Sequence, residues 1–270
     1  MKVSGPADSE YWNRVHARSR ARESAVWRRH SDAVNAALLN RWLPCSIAGR
    51  VLKTDLFDEA LSEGLAPAVG LRSPFVVGVD LSPSVASEAA RHHREVSALC
   101  GDVRRLPFAD AAFDAVISNS TLDHLSSARE LECAIGEIAR VLRPGGTLII
   151  TMDNPSHPLI RLRNSRLGSL FHRIGLAPYY GGYTIGIARL SECLRRAGLE
   201  VSDRTAIMHC PRVVAVPLAR LLGHRSPKFQ LRFLKSLMAF ESLGRLATRF
   251  RTGHFVAARA VRAGGNAADI

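Results

Sequence analysis

The sequence predicts an α/β protein: a mostly parallel sheet with helices on both faces, an N-terminal helical extension and helical insertions toward the C-terminus. Three observations carry this. From residue 51 onward, short β-branched apolar runs alternate with segments of helical periodicity. Hydrophobic residues make up 47% of the 270, enough to bury a core in one sizeable domain with insertions. No run of eighteen apolar residues interrupts the pattern, so no membrane-spanning helix is expected.

Residues 11–43 contain few breakers, many Ala and Arg, and the large apolar side chains Trp27, Val34, Leu38 and Trp42, which predicts one or two helices ending near Pro44. Strands follow at 51–52, 75–79, 96–100, 113–117 and 147–151, the fifth launched by a turn at Pro144-Gly145-Gly146. Before that turn Leu131, Ile135, Ile138 and Leu142 recur at helical spacing, and Ser127 with Glu130 forms a capping-box signature. A short helix at 190–197 stops at Gly198, then come a sixth strand at 199–208 and a seventh at 254–261. The chain thus divides into a helical extension (1–44), a core (45–154) and a completion of the sheet (155–270) with basic insertions at 155–185 and 211–252.

The formal charge of +13 favours anionic partners: nucleic acid, a lipid surface or a phosphorylated substrate. Its distribution is uneven. No acid lies between Asp153 and Glu192, where Arg161, Arg163, Arg166, Arg173 and Arg189 fall, and Glu241 is the sole acid from 211 to 253. The five cysteines are scattered without a CxxC pair, which points to reduced thiols and to neither a disulfide frame nor a zinc or other metal site. With no apolar leader at the N-terminus, a cytoplasmic location is expected.

In an open α/β sheet, ligands bind beyond the carboxyl ends of the strands. The second strand ends at Asp80, where a carboxylate can accept hydrogen bonds from a ribose diol. The third ends in Gly101-Asp102-Val103, followed by Leu106-Pro107-Phe108; an acid here could accept from an adenine amino group between apolar neighbours. The fourth runs from Phe113-Asp114-Ala115-Val116-Ile117-Ser118-Asn119 into Leu122-Asp123-His124, and the helix after it ends in Arg140-Val141-Leu142-Arg143-Pro144-Gly145-Gly146. In this order and spacing, residues 75–151 resemble the central part of Rossmann-like class I S-adenosylmethionine-dependent methyltransferases, particularly the type 11 small-molecule group. The resemblance implies S-adenosylmethionine as cofactor, with Asp80 at its ribose, Asp102 and Val103 at its adenine, and Asn119 near its methionine moiety.

One motif departs. The family usually reads V-L-D-x-G-x-G-x-G after the first strand, its glycines letting the backbone approach the methionine part of the cofactor. Here Val51-Leu52 runs into Lys53-Thr54-Asp55-Leu56-Phe57-Asp58-Glu59, and no glycine occurs before Gly64. Two outcomes are open. Lys53 can pair with the cofactor's carboxylate and Asp55 with its ammonium, while Thr54 or Asp55 caps the next helix and leaves amides free. Alternatively, the pocket is partly closed and cofactor use is weak or lost. Asp80, Asp102 and Asn119 standing together favour retained binding.

Methyl transfer needs in-line positioning, plus a base when the acceptor is a hydroxyl or an acidic carbon. His124 follows the fourth strand where such a base belongs, and Asp123 could orient it; the plain alternative is that His124 caps or packs the turn. His209-Cys210 reads as a buried structural pair rather than a nucleophile. Asp153-Asn154-Pro155 follows the wrong strand to be an amide-methylating motif. Residues 229–250 are amphipathic, with Phe233, Leu237, Phe240 and Leu243 on one side and basic residues on the other. They form either a helix packed on the sheet or a lid for an amphiphilic acceptor docked peripherally on an anionic membrane. Tyr179-Tyr180-Gly181-Gly182-Tyr183 is an aromatic wall or an ordinary loop. The leading expectation is methyl transfer to a small-molecule or lipid-like acceptor, on O or C, and the basic charge favours an anionic one. An RNA methyltransferase and a cofactor-less binding protein rank below it, and a nicotinamide oxidoreductase below those, because GxGxxG is missing.

Overall fold

The computed structural model describes residues 9–22, 24–165 and 182–264. Seven strands form one sheet in the order β3-β2-β1-β4-β5-β7-β6. They are β1 (Arg50–Lys53), β2 (Phe75–Asp80), β3 (Val96–Cys100), β4 (Phe113–Asn119), β5 (Leu142–Asp153), β6 (Leu199–Ile207) and β7 (Phe255–Arg262). The pairings among β1 to β5 are parallel, and β7 runs antiparallel between β5 and β6. The seven-stranded, mostly parallel Rossmann-like sheet expected from the sequence is present.

Successive residues of a strand face opposite ways, so each central strand feeds two cores. Val51, Ala115, Ile117, Ile149 and Ala257 point to one, Leu52, Val116, Leu148, Ile150, Val256 and Ala258 to the other. The first core is closed by α2 (Ala25–Trp42), α3 (Phe57–Leu61), α4 (Ala66–Gly70) and α5 (Pro83–His92), and by Ala215, Ala219 and Leu237 of α9 (Arg212–Leu222) and α10 (Pro227–Ala239). The second is closed by α6 (Ala128–Val141) and α8 (Ile187–Arg196). The shorter α7 (Pro158–Arg163) and α11 (Arg249–Thr252) follow β5 and precede β7, and α1 (Ser9–Arg22) leads into α2.

Several local expectations shift. β5 starts at Leu142, opposite Phe113, and pairing resumes at Thr147 opposite Ala115, so Pro144-Gly145-Gly146 lies inside the strand as an irregularity. Gly145 takes φ 75°, which a side chain would oppose. The capping box forms by half: Ser127 Oγ accepts from Glu130 N at 3.2 Å, but the Glu130 carboxylate accepts from Ser126 N, one residue early. Phe233, Leu234 and Met238 of α10 pack inward against the first core, while Phe229 and Leu231 stay exposed. Tyr179, Tyr180 and Gly181 of the aromatic segment, with Arg166 and Arg173, lie outside the described residues.

Candidate functional site

Chain order reverses across the β1–β4 boundary, and the crevice this leaves at the strand ends is where an open α/β sheet takes its ligand. A cleft of about 230 Å³ occupies it. Its floor is made by strand ends: Thr54 and Asp55 after β1, Asp80 of β2, Gly101 to Val103 after β3, and Asn119 to Thr121 at β4. Trp12 of α1 and Trp27 of α2 supply an aromatic roof.

The glycine-less loop is organised by a buried ion cluster. Lys53 is 2% exposed and is not among the cleft-lining residues. Its Nζ donates to Asp55 O at 2.8 Å and to Asp55 Oδ1 at 3.0 Å, and makes an ion-pair contact with Glu59 Oε2 at 2.8 Å. Burial alone would lower the pKa of this ammonium; the carboxylates of Asp55, Glu59 and Asp58 more than offset that and hold it charged. The expected pairing of Lys53 with a ligand carboxylate is therefore replaced by pairing within the loop. Asp55 does face the cleft, with Thr121 Oγ1 donating to its second oxygen at 3.4 Å. Neither Thr54 nor Asp55 caps α3: the N-cap is Leu56, without a side-chain bond, and its N–H donates to Asp80 Oδ2 at 3.0 Å. Leu56 itself is fully buried over Gly78 of β2, where a Cβ would overlap it. Gly78 thus makes room for the Leu56 side chain and fixes how the loop sits on β2.

Asp80 sits where the sequence places it. Its carboxylate accepts from Leu56 N and Ser82 N, and burial, only partly countered by those bonds, pushes it up to about 6. Asp102 and Val103 also line the cleft, but Arg104 grips the Asp102 carboxylate through its backbone N and through Nε and Nη2 at 2.6–3.0 Å. Burial would raise that acid; the Arg104 bonds outweigh it and hold the acid below the usual range. Asn119 lines the cleft while its Oδ1 accepts from Thr151 Oγ1 at 2.9 Å.

His124 faces the cleft, its ring set edgewise to Trp12 at 4.7 Å between centroids. Asp123 does not reach the cleft: it is 1% exposed, accepts from Ser120 Oγ at 2.9 Å, and is pushed up to about 6 by burial. Ser120 adopts φ 51°, a strained conformation for a non-glycine residue, held by two bonds from its N–H to Thr151. Behind the turn, Gly182 packs so close to the backbone of 123–125 that a side chain there would displace it.

Sequence reasoning gave no role to Asp58 of the same loop, and missed the residues that come from afar. Asp58 lines the cleft and is pushed up to about 8, first by burial and then by Asp32. Its side chain keeps 29% of its surface, so water screens part of that repulsion. Arg28 Nη1 lies 4.0 Å from it. Arg212 and Phe255 close the opposite end. The available signal was a run of Trp and Arg on otherwise amphipathic helices; nothing local says that they meet strand ends. Cys210 is the inert thiol expected, buried against His30 Nε2 at 3.3 Å and pushed up to about 11 by burial.

Residues 48–150 match the family described as "Methyltransferase domain". A demethylmenaquinone methyltransferase of Beutenbergia cavernae is 32% identical over 126 residues, 46% of each chain. A probable S-adenosylmethionine-dependent methyltransferase of Mycolicibacterium smegmatis is 26% identical over 188 residues, 69% of this chain and 64% of that one. The chain thus spans less than two thirds of the length of either relative. Among solved structures, one from the complex between the Haloferax volcanii Trm112 methyltransferase activator and a methyltransferase superposes with TM-score 0.58 at 19% identity, covering 97% of this chain and 100% of the other. At that identity the likeness concerns the fold. No helix among the described residues is long and apolar enough to cross a membrane.

Proposed function

We propose that this chain, which belongs to the class I S-adenosylmethionine-dependent methyltransferases, transfers a methyl group to a small-molecule or lipid-like acceptor, on oxygen or carbon. The observation that carries it is the single cleft joining Asp55, Asp80, Asp102, Val103 and Asn119 at the ends of four adjacent strands. The donor set suits the cofactor's charge. Asp55, Asp58 and Asp80 line one side of the cleft; burial first, and neighbouring carboxylates second, raise Asp58 and Asp80, so a cation bound there would favour their charged forms.

When bound, S-adenosylmethionine supplies an electrophilic methyl on a sulfonium. The protein's part is to position and to manage one proton. In this reading Asp80 takes the ribose and Asp102 the adenine amino group, with Arg104 sharing the Asp102 carboxylate. Thr54 and Asp55 stand at the methionine end. Trp12 and Val15 line the cleft from α1. His124 is the cleft-facing base for an acceptor hydroxyl or acidic carbon, and Asp123, beneath it, is a positioning residue. A demethylmenaquinone methyltransferase among the relatives favours an apolar acceptor. So does the face around α9 and α10: Val213, Leu221 and Phe229 are exposed among Arg220, Arg225, Lys228, Arg232 and Lys235, a composition suited to an anionic lipid surface.

The second reading, a binding protein that no longer uses the cofactor, is favoured by the Asp102–Arg104 clamp, which an adenine amino group would have to share. Incubation with methyl-labelled cofactor and a total cell extract separates the two. Label entering the organic phase, and absent with His124→Ala, is the expected result. Label in RNA points to a nucleic-acid acceptor, and no transfer to any fraction sinks the enzymatic reading.

A further inference from the structure

We propose that the cleft holds a subsite for an oxyanion of the acceptor, a phosphate or carboxylate on an otherwise apolar molecule, built from Arg212, Trp27 and Phe255. This rests on the methyl-transfer reading of the same cleft. The Arg212 guanidinium lies 5.4 Å from the Trp27 ring and 5.6 Å from the Phe255 ring, and all three residues line the cleft. Among the described residues no carboxylate comes within ion-pair distance of it. The other cleft arginines differ: Arg104 is held by Asp102 and Glu130, and Arg28 has Asp58 at 4.0 Å. Aromatic faces stabilise a guanidinium but leave its net charge in place. After burial, the Arg212 charge is the largest influence lowering the pKa of His30, His157 and His254.

Location assigns the anion to the acceptor. The cofactor-side acids follow β3, β2 and β1, and Asn119 ends β4. Phe255 opens β7, three strand positions from β1, a lateral offset of about 14 Å at ordinary strand spacing. An arginine flanked by rings, with its N–H edges available, suits a phosphate or carboxylate through charge-assisted hydrogen bonds, and the same rings suit the apolar body that carries it.

The test uses full-length protein saturated with S-adenosylhomocysteine and titrated calorimetrically with decyl phosphate, decanoate and decanol. The expected result is that at least one anion binds about tenfold or more tightly than the alcohol, the weight of one charge-assisted hydrogen bond. Arg212→Met abolishes that preference, Arg212→Lys keeps part of it, and S-adenosylhomocysteine affinity stays within about twofold in both, which also reports intact folding. Equal binding of the three probes, or a preference that survives Arg212→Met, overturns the subsite. So does loss of S-adenosylhomocysteine affinity in Arg212→Met with 5′-methylthioadenosine affinity unchanged, because the anion is then the cofactor's own carboxylate. Failure of S-adenosylhomocysteine to bind wild type overturns instead the reading on which the subsite rests.

Discussion

Replacing Lys53 with methionine should cost more stability than any other single change in the first-strand loop. The substitution keeps the length of the side chain and removes one buried cation. It leaves Glu59, whose side chain is 1% exposed, without the ammonium now 2.8 Å away, and Asp55 without its partner at 3.0 Å. Breaking a buried pair from one side costs about 3–5 kcal/mol, because the remaining charge is stranded away from water. At roughly 2–4 °C per kcal/mol for a chain of this size, the midpoint of thermal unfolding should fall by about 10 °C. Lys53→Met combined with Glu59→Gln removes both charges, so the double variant should regain about half of the loss, leaving the unpaired Asp55 as the residual defect. Urea unfolding of wild type, both single variants and the double completes the cycle. A Lys53→Met loss below about 1 kcal/mol, or strictly additive losses in the cycle, would refute a buried charge cluster as the support of this loop.

Three further outcomes follow from the same geometry. Asp58 is pushed up to about 8, so the folded chain holds this proton more tightly than the unfolded one; its stabilising contribution is complete at low pH and is lost as pH rises through that value. The ligand-free protein should therefore lose stability from about pH 4 to 8 and level off by about pH 9, while affinity for the cationic cofactor rises as Asp58 ionises near pH 8. Asp58→Asn should flatten both slopes, read by thermal shift with and without S-adenosylmethionine. Gly78→Ala places a methyl group into Leu56 and should destabilise by about 1–3 kcal/mol, with weakened cofactor binding, whereas the same change at the unobstructed Gly136 should leave binding unchanged. Leu221→Asp with Phe229→Asp, both at exposed positions, should abolish co-sedimentation with anionic vesicles without altering the unfolding midpoint; retention on vesicles would remove the α9–α10 face from consideration.

The framework was legible because it is local. The runs 75–79 and 113–117 declare strands by composition, and Asp80, Asp102 and Asn119 could be placed at strand ends by counting from them. β5 begins five residues before the strand its composition predicts, because a proline-glycine turn normally ends pairing, whereas here Leu142 already pairs with Phe113 before the irregularity. The sequence does not reveal the internal partner of Lys53, because Glu59 comes into reach only once α3 has turned, a fact of tertiary path rather than of spacing. The seat of Leu56 over Gly78 is equally non-local, since β1–β2 register decides which strand residue lies beneath it. Arg212 and Phe255 are the extreme case. They sit far along the chain from the core motifs: the antiparallel insertion of β7 beside β5 brings Phe255 to the cleft, and the packing of α9 on α2 brings Arg212.

The central claim is that a loop without glycines still supports the cofactor site. Calorimetric titration of the chain with S-adenosylhomocysteine tests it most directly. The account predicts one binding event per chain, weakened about tenfold by Asp55→Ala through loss of a carboxylate at the methionine end. A sample that unfolds cooperatively yet gives no binding, together with an Asp55→Ala variant that behaves like wild type, would contradict it.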